Sequence, residues 1–144
     1  MIYSAGCEYA IRALTRLAKQ TPAGGFCLLR QIVDQDRLPE HFVGKLLQTL
    51  VRAEILVSAK GRNGGFALRV PASEITLRQI ADAIDGDDQD INRCVLGFEE
   101  CDEHQHCPHH ECWNPIRKQI DELLNRTTLT DLVESMGKKQ KRRR

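Results

Sequence analysis

Between Ile55 and Val70 two alternating apolar stretches, Ile55, Val57, Ala59 and then Phe66, Leu68, Val70, flank the hexapeptide Lys60-Gly61-Arg62-Asn63-Gly64-Gly65. Alternation with a period of two on both sides of a glycine-rich turn predicts a β-hairpin with those apolar residues on its inner face. Glycine supplies the positive φ angles that the tip requires. Basic Lys60 and Arg62 stand at that tip.

What precedes the hairpin reads as helix. From Ser4, an expected N-cap, Ala10, Ala13, Leu14, Leu17 and Ala18 recur at helical spacing up to a stop near Pro22 to Gly25. A short helix over about Leu28 to Asp36 buries Leu29, Ile32 and Val33. After a break at Arg37 and Leu38, Pro39 opens a third helix, whose first position suits proline. This helix is expected to bury Phe42, Leu46, Leu47 and Leu50 and to turn Glu40, His41, Lys45 and Gln48 outward. Two helices joined by a short turn and followed at once by a basic-tipped hairpin form the winged helix-turn-helix pattern.

Downstream, Thr76-Leu77-Arg78-Gln79 has the capping-box form, with Leu77, Ile80, Ala81 and Ile84 on one face before Gly86. An acidic, polar loop follows. A long helix is expected from Pro115, with Ile116, Ile120, Leu123 and Leu124 on one side, and Thr128 caps a short final helix bearing Leu129, Leu132 and Val133. Because a polar loop separates the Pro115 helix from the head, a partner chain is its expected cover, giving an isologous homodimer. The expected fold is mainly α with a small β-hairpin wing. It divides into a DNA-binding head over 1–86, a cysteine-rich loop over 87–112, a dimerisation helix and short final helix over 113–136, and a disordered basic tail over 137–144.

Charge is segregated along the chain. The net charge of +1 includes six basic residues in Lys138 to Arg144, without which 15 basic face 20 acidic residues. Acidic residues gather at Asp82 to Asp90 and Glu99 to Glu103, whereas Arg52 to Arg69 holds four basic residues and one acidic, as expected of a phosphate-facing surface. No stretch has the roughly 20 apolar residues of a membrane span. Glu8, Arg12, Arg16 and Lys19 also occupy the region where a signal peptide would be apolar, so the expected location is the cytoplasm. Ser4, Ser58, Ser73 and Ser135 lie in no nucleophile motif and no phosphate-cradling loop occurs, so no enzymatic activity is expected.

Of six cysteines, Cys94, Cys101, Cys107 and Cys112 fall within nineteen residues, while Cys7 and Cys27 stand alone in apolar surroundings and read as small core residues. In a reducing compartment a loop of thiols points to a metal centre or to thiol chemistry. Soft sulfur ligands select zinc, copper or iron-sulfur clusters. Gaps of six, five and four residues differ from the close pairs usual for structural zinc and suit a larger core better.

Several motifs carry a family likeness: Tyr9-Ala10-Ile11-Arg12-Ala13-Leu14, Leu38-Pro39-Glu40-His41-Phe42 with Lys45-Leu46-Leu47, Gly61-Arg62-Asn63-Gly64-Gly65-Phe66-Ala67-Leu68, Ile75-Thr76-Leu77, and Cys107-Pro108-His109-His110-Glu111-Cys112-Trp113. In these the chain resembles the Rrf-two family of winged-helix regulators, which has IscR-like and NsrR-like branches, over nearly all its length up to the basic tail. The resemblance implies that Cys94, Cys101 and Cys107 ligate an iron-sulfur cluster. His110 as fourth ligand fits the IscR-like 2Fe-2S pattern and is preferred; Glu8, reaching from the partner chain, would fit the NsrR-like 4Fe-4S pattern. The first cysteine gap is one residue longer than in the best-known members, and Cys112 is an extra thiol and a further alternative for the fourth ligand. His104, His106 and His109 read as exposed loop residues.

The same resemblance places His41, Gly44 and Lys45 on the base-facing side of the reading helix and Lys60 and Arg62 toward the minor groove, with Gln48 outward beside them. Double-stranded DNA with a pseudo-palindromic operator is the implied partner. The expected function is therefore a cluster-dependent transcriptional repressor responding to nitric oxide, oxidants or iron-sulfur status. The alternative is a zinc- or thiol-based redox-responsive regulator without a cluster.

Overall fold

The computed structural model of the chain describes residues 2–34, 38–86, 94, 96–97 and 109–141, with side chains described as far as 136. Its elements are α1 (Ala5–Gln20), α2 (Leu29–Val33), α3 (Glu40–Arg52), β1 (Leu56–Ala59), β2 (Gly65–Leu68), a 3-10 turn at Ala72–Glu74, α4 (Leu77–Asp85), α5 (His110–Arg126) and α6 (Leu129–Lys141). This is the mainly helical architecture with a two-stranded antiparallel wing that the sequence pattern indicates.

The core is organised around α1. Cys7, Ala10, Ala13, Leu14 and Leu17 are wholly buried, and α1 packs against α2, α3, β2, α4 and α6. Three alanines on this helix, Ala10, Ala13 and Ala18, leave room for neighbours to approach closely. Ser4 is the expected N-cap: its Oγ accepts the Cys7 backbone N–H at 3.1 Å. The Ser4 backbone N–H and hydroxyl in turn donate to the Asp85 carboxylate at the end of α4, the first at 2.9 Å. A carboxylate at the positive end of the α1 dipole thereby joins two helices distant in sequence.

The reading helix α3 differs in phase from its expected stripe. Val43, Leu47 and Leu50 are buried, Leu46 is half-buried and Phe42 is 42% exposed, its ring set edge-on to Tyr9 with centroids 5.8 Å apart. One residue is about 100° of helix, and the 43, 47, 50 spacing faces α1 better than one that includes position 42. Pro39 is the N-cap rather than the first helical residue, with its carbonyl accepting the Val43 N–H at 2.9 Å. The second helix is shorter than expected, ending at Val33, and residues 35–37 of its expected span lie outside the described residues.

The hairpin also slips by one residue against expectation. Leu56 pairs with Leu68 and Ser58 with Phe66, so Leu56, not Val57 or Ala59, is the buried residue of β1, while Ile55 just before the strand is buried as expected. The connection from α3 turns through Glu54 at φ 61°, which shifts the phase of the strand that follows. Val70, expected on the second strand, is exposed beyond its end.

Cys27 bonds to Phe66 through both backbone groups at 2.9 Å, adding a third short extended segment beside the wing. Close backbone approaches, one within the hairpin and one to Cys27, explain two glycines. A Cβ on Gly64 would lie 2.2 Å from the Ala59 carbonyl oxygen, and one on Gly65 would lie 2.2 Å from that of Cys27. Gly65 also has φ +112°.

Thr76 caps α4 as expected, its hydroxyl accepting the Gln79 N–H while Gln79 accepts the Thr76 N–H at 2.8 Å. Thr128 caps α6, whose N3 residue Asp131 accepts from Thr128 in return. The α5–α6 junction is stitched to the head by Leu77 N–H to Thr127 O at 3.0 Å and Leu129 N–H to Ile75 O at 2.8 Å.

Three expectations for the C-terminal part change. Helix α5 begins at His110, with Pro115 inside it, and the Trp113 N–H reaches the His109 carbonyl at 2.8 Å. Its apolar residues divide: Leu124 is buried in the head's own core, whereas Ile116 and Leu123 are exposed. A partner is therefore not the cover for the whole face. Finally, α6 continues to Lys141, so Lys138, Lys139 and Lys141 extend a helix where a disordered tail was expected.

Replacing Gly65 with alanine should lower stability by about 2–4 kcal/mol, since both a carbonyl collision and a left-handed backbone oppose the methyl group. Gly61→Ala, where φ is +100° but nothing lies within 4 Å, should cost only about 1–2 kcal/mol. Urea unfolding of the two variants side by side measures the difference.

Candidate nucleic-acid interface and cysteine loop

His41, Lys45 and Gln48 stand exposed along one side of α3, with Gly44 among them. Thr49 and Arg52 continue that side; Arg52 Nη2 donates to Thr49 Oγ1 at 2.9 Å and Thr49 Oγ1 donates to the Lys45 carbonyl at 3.2 Å. All these residues line one cleft of about 500 Å³, whose apolar wall is Leu29 of α2 and Phe66 of β2. Arg52 and Thr49 were not among the sequence candidates. For Arg52 the signal was the spacing 41, 45, 48, 52, which repeats the helical period along one exposed stripe.

Lys60 and Arg62 are exposed at the tip of the wing. The face formed by α3 and the wing thus carries His41, Lys45, Arg52, Lys60 and Arg62, a set of cations and hydrogen-bond donors suited to phosphates and base edges. Within this stretch the carboxylate of Glu54 is held by Arg69 at 3.5 Å.

The cysteine loop leaves α4 after Gly86 and rejoins the fold at α5. Cys94 is buried, His110 is half-buried in the first turn of α5, Cys112 is exposed two residues later, and Glu8 is exposed on α1. Cys101, Cys107, His104 and His106 lie outside the described residues, while His109 is exposed as expected. Among the described residues, no three histidine, cysteine or acidic side chains gather closely enough to hold a metal ion. The donors that are described, a buried thiol and an imidazole, are of the type that iron-sulfur and zinc centres take.

The start of this loop is held, and α5 is pinned to α4 about three turns beyond the loop's other end. Asp85 is bonded to Ser4, and Arg78 of α4 forms an ion pair with Asp121 of α5. The indole N–H of Trp113 is buried with no hydrogen-bond partner among the described residues.

The isolated cysteines behave as core groups. Burial, with the negative charges of Asp85 and Glu8 adding to it, pushes the Cys7 thiol up to about 12. Burial likewise raises Cys27, whose Sγ donates to Gln20 Oε1 at 2.8 Å.

Residues 3–135 match the family described as Rrf2, iron-dependent transcriptional regulator. The HTH-type transcriptional regulator IscR of Serratia proteamaculans is 28% identical over 128 residues, covering 89% of this chain and 76% of that one. Among solved structures, CymR, the global cysteine regulator of B. subtilis, superposes with a TM-score of 0.77 at 28% identity, over 92% of this chain and 95% of its own. The oxidized form of Staphylococcus aureus CymR gives 0.71 at 27% identity, over 93% and 97%. Among the described residues no helix is long and apolar enough to cross a membrane.

The Cys7 thiol is protonated in the fold to a higher pH than in the unfolded chain, where it ionises near its ordinary 9.0. Its contribution to stability is therefore complete below about pH 9 and is lost as pH rises toward 12. Unfolding midpoints taken from pH 8 to 11 should fall less steeply for Cys7→Ala than for the parent chain. In the native protein at pH 8, iodoacetamide should alkylate Cys112 and leave Cys7 unlabelled until denaturant is added.

Proposed function

The chain belongs to the Rrf2 family of iron-dependent transcriptional regulators, and from that membership we propose that it is a homodimeric DNA-binding repressor controlled by an iron-sulfur cluster on the loop between α4 and α5. The carrying observation is the row of exposed cations and polar groups on α3, with further exposed cations at the tip of the wing, on a head to which the start of the cysteine loop is fastened. Its relatives are transcriptional regulators, which argues for DNA reading and against turnover of a substrate.

In this reading His41, Gly44, Lys45 and Gln48 meet base edges in the major groove, and Lys60 and Arg62 meet phosphates across the minor groove. Arg52 joins them as a phosphate contact at the far end of α3. A second copy covers Ile116 and Leu123, which border a groove about 400 Å³ in volume on the outer side of α5. Two heads then address two half-sites of a pseudo-palindromic operator.

Cys94, Cys101 and Cys107 would hold the cluster with His110 as fourth ligand in a 2Fe-2S arrangement; Glu8, exposed on α1, is the alternative from the partner chain for a 4Fe-4S cluster. Such a cluster supplies a centre that nitric oxide, oxidants or iron shortage can destroy. The chain's own part is mechanical. Asp85 and Ser4 couple the start of the loop to α1, which packs directly on the reading helix, so a change in the loop alters the angle at which α3 is presented.

One observation favours a second reading. Cys112 is an exposed thiol, and likeness to CymR, one structure of which is an oxidized form, suits a thiol-based regulator in which Cys112 bonds to a neighbouring cysteine on oxidation.

Protein prepared without air should be brown and contain iron and inorganic sulfide, and Cys94→Ala should lose both and change promoter affinity at least tenfold. Colourless protein with zinc or without metal would decide for the thiol reading. Lys60→Ala and Arg62→Ala should weaken binding to specific and random duplex alike, each lowering the slope of log affinity against log salt by about 1 in a mobility-shift series.

A further inference from the structure

Glycine in the middle of a helix weakens it relative to alanine, and Gly44 lies in the middle of the reading helix. Nothing in the backbone demands it. Its φ is in the ordinary helical range, and the single atom within 4 Å of an added Cβ is Leu29 Cδ2 at 3.1 Å, the flexible end of a side chain. The glycines of the wing are different, since carbonyl oxygens block a side chain there. What Gly44 does is open the surface of α3. With no side chain at that point, Leu29 reaches up from α2 and, with Phe66, forms an apolar wall in a cleft otherwise lined by His41, Lys45, Gln48 and Arg52.

An apolar notch framed by cations and an amide is complementary to one feature of the major groove. Thymine presents a 5-methyl group beside its O4 acceptor, the only apolar group on any base edge there, and Gln48 is of the type that pairs with the adenine across from it. Resting on the DNA-reading function above, we propose that the notch at Gly44 and Leu29 receives the methyl group of one thymine per half-site and that these two residues set operator preference. Arg52 holds the phosphate backbone at the edge of the notch while the methyl group displaces water from Leu29.

The probe is a duplex that this protein enriches from a randomised DNA library. Replacing each thymine in turn with deoxyuridine removes the methyl group and nothing else. The expected result is one thymine per half-site whose replacement weakens binding about fourfold, the transfer value of one buried methyl-sized group, and roughly fifteenfold when both half-sites are changed. Gly44→Ala fills the notch and should bind thymine and deoxyuridine operators equally. The variant should fold, because only the end of Leu29 must move by a few tenths of an ångström. Leu29→Ala leaves α3 untouched, should also erase the difference, and decides the matter if Gly44→Ala proves unstable.

Enrichment of a sequence insensitive to deoxyuridine at every position would overturn the notch while leaving DNA reading intact. Discrimination that survives both substitutions would overturn it in the same way. Failure to enrich any sequence would remove the DNA-reading function itself.

Discussion

The structure depends on how tightly α1 is enclosed. Its alanines at 10, 13 and 18 are buried together with Leu14 and Leu17, and helices from both ends of the chain pack on it. Small side chains let those neighbours come close enough for backbone and capping groups to meet. That is why Ser4 can take up Asp85 while Cys7 is wholly excluded from water. A larger residue at any of the three alanine positions would have to displace one of the packed helices, and a close-packed interior resists such overfilling.

From that packing follows the link between the two candidate sites. The cysteine loop starts where Asp85 grips the N-terminus of α1, and it ends on α5, which is tied to α4 through Arg78 and Asp121. The start of the loop is thus coupled to α1, and the body of α5 to α4. The reading helix packs on both of these helices, and Phe42 of α3 sits edge-on to Tyr9, one turn along α1 from the capped end. Tyr9 also lies beneath the Arg12 guanidinium at 5.9 Å, so a charged group shares this contact between the helices. The start of the loop and the exposed stripe of α3 are therefore joined through packed elements.

Local chemistry was legible in the sequence where it is self-contained. Ser4, Thr76 and Thr128 cap their helices as read, because a cap needs only a side-chain oxygen and an N–H two or three residues on. Gly86 ends α4, and the wing forms around the glycine-rich hexapeptide. Phase was less legible. Val57 and Ala59 alternate as well as Leu56 and Ser58 do, and the pattern alone does not tell that Leu56 follows the buried Ile55 into the core. Phe42 is more hydrophobic than Val43, yet Val43 is the core residue, because the position of α1 selects the face and that position is not a local property. The division of α5 between Leu124 inside and Ile116 outside has the same origin. For the cysteine loop, spacing and donor type were readable, but the geometry at Cys101 and Cys107 lies outside the described residues.

The two cysteine populations show how one residue type serves opposite ends. Cys7 is held protonated by burial beside carboxylates, a setting that suppresses the thiolate needed for metal binding, alkylation or oxidation. Cys27 spends its backbone on Phe66 and its thiol on Gln20, and both bonds fix the base of the wing. These two are structural, and their chemistry is shut off by the same packing that makes the fold. Cys112, by contrast, stands exposed in the first turn of α5, where a thiolate can form. Separation of inert from exposed thiols lets one chain keep a stable core and still present a thiol able to react.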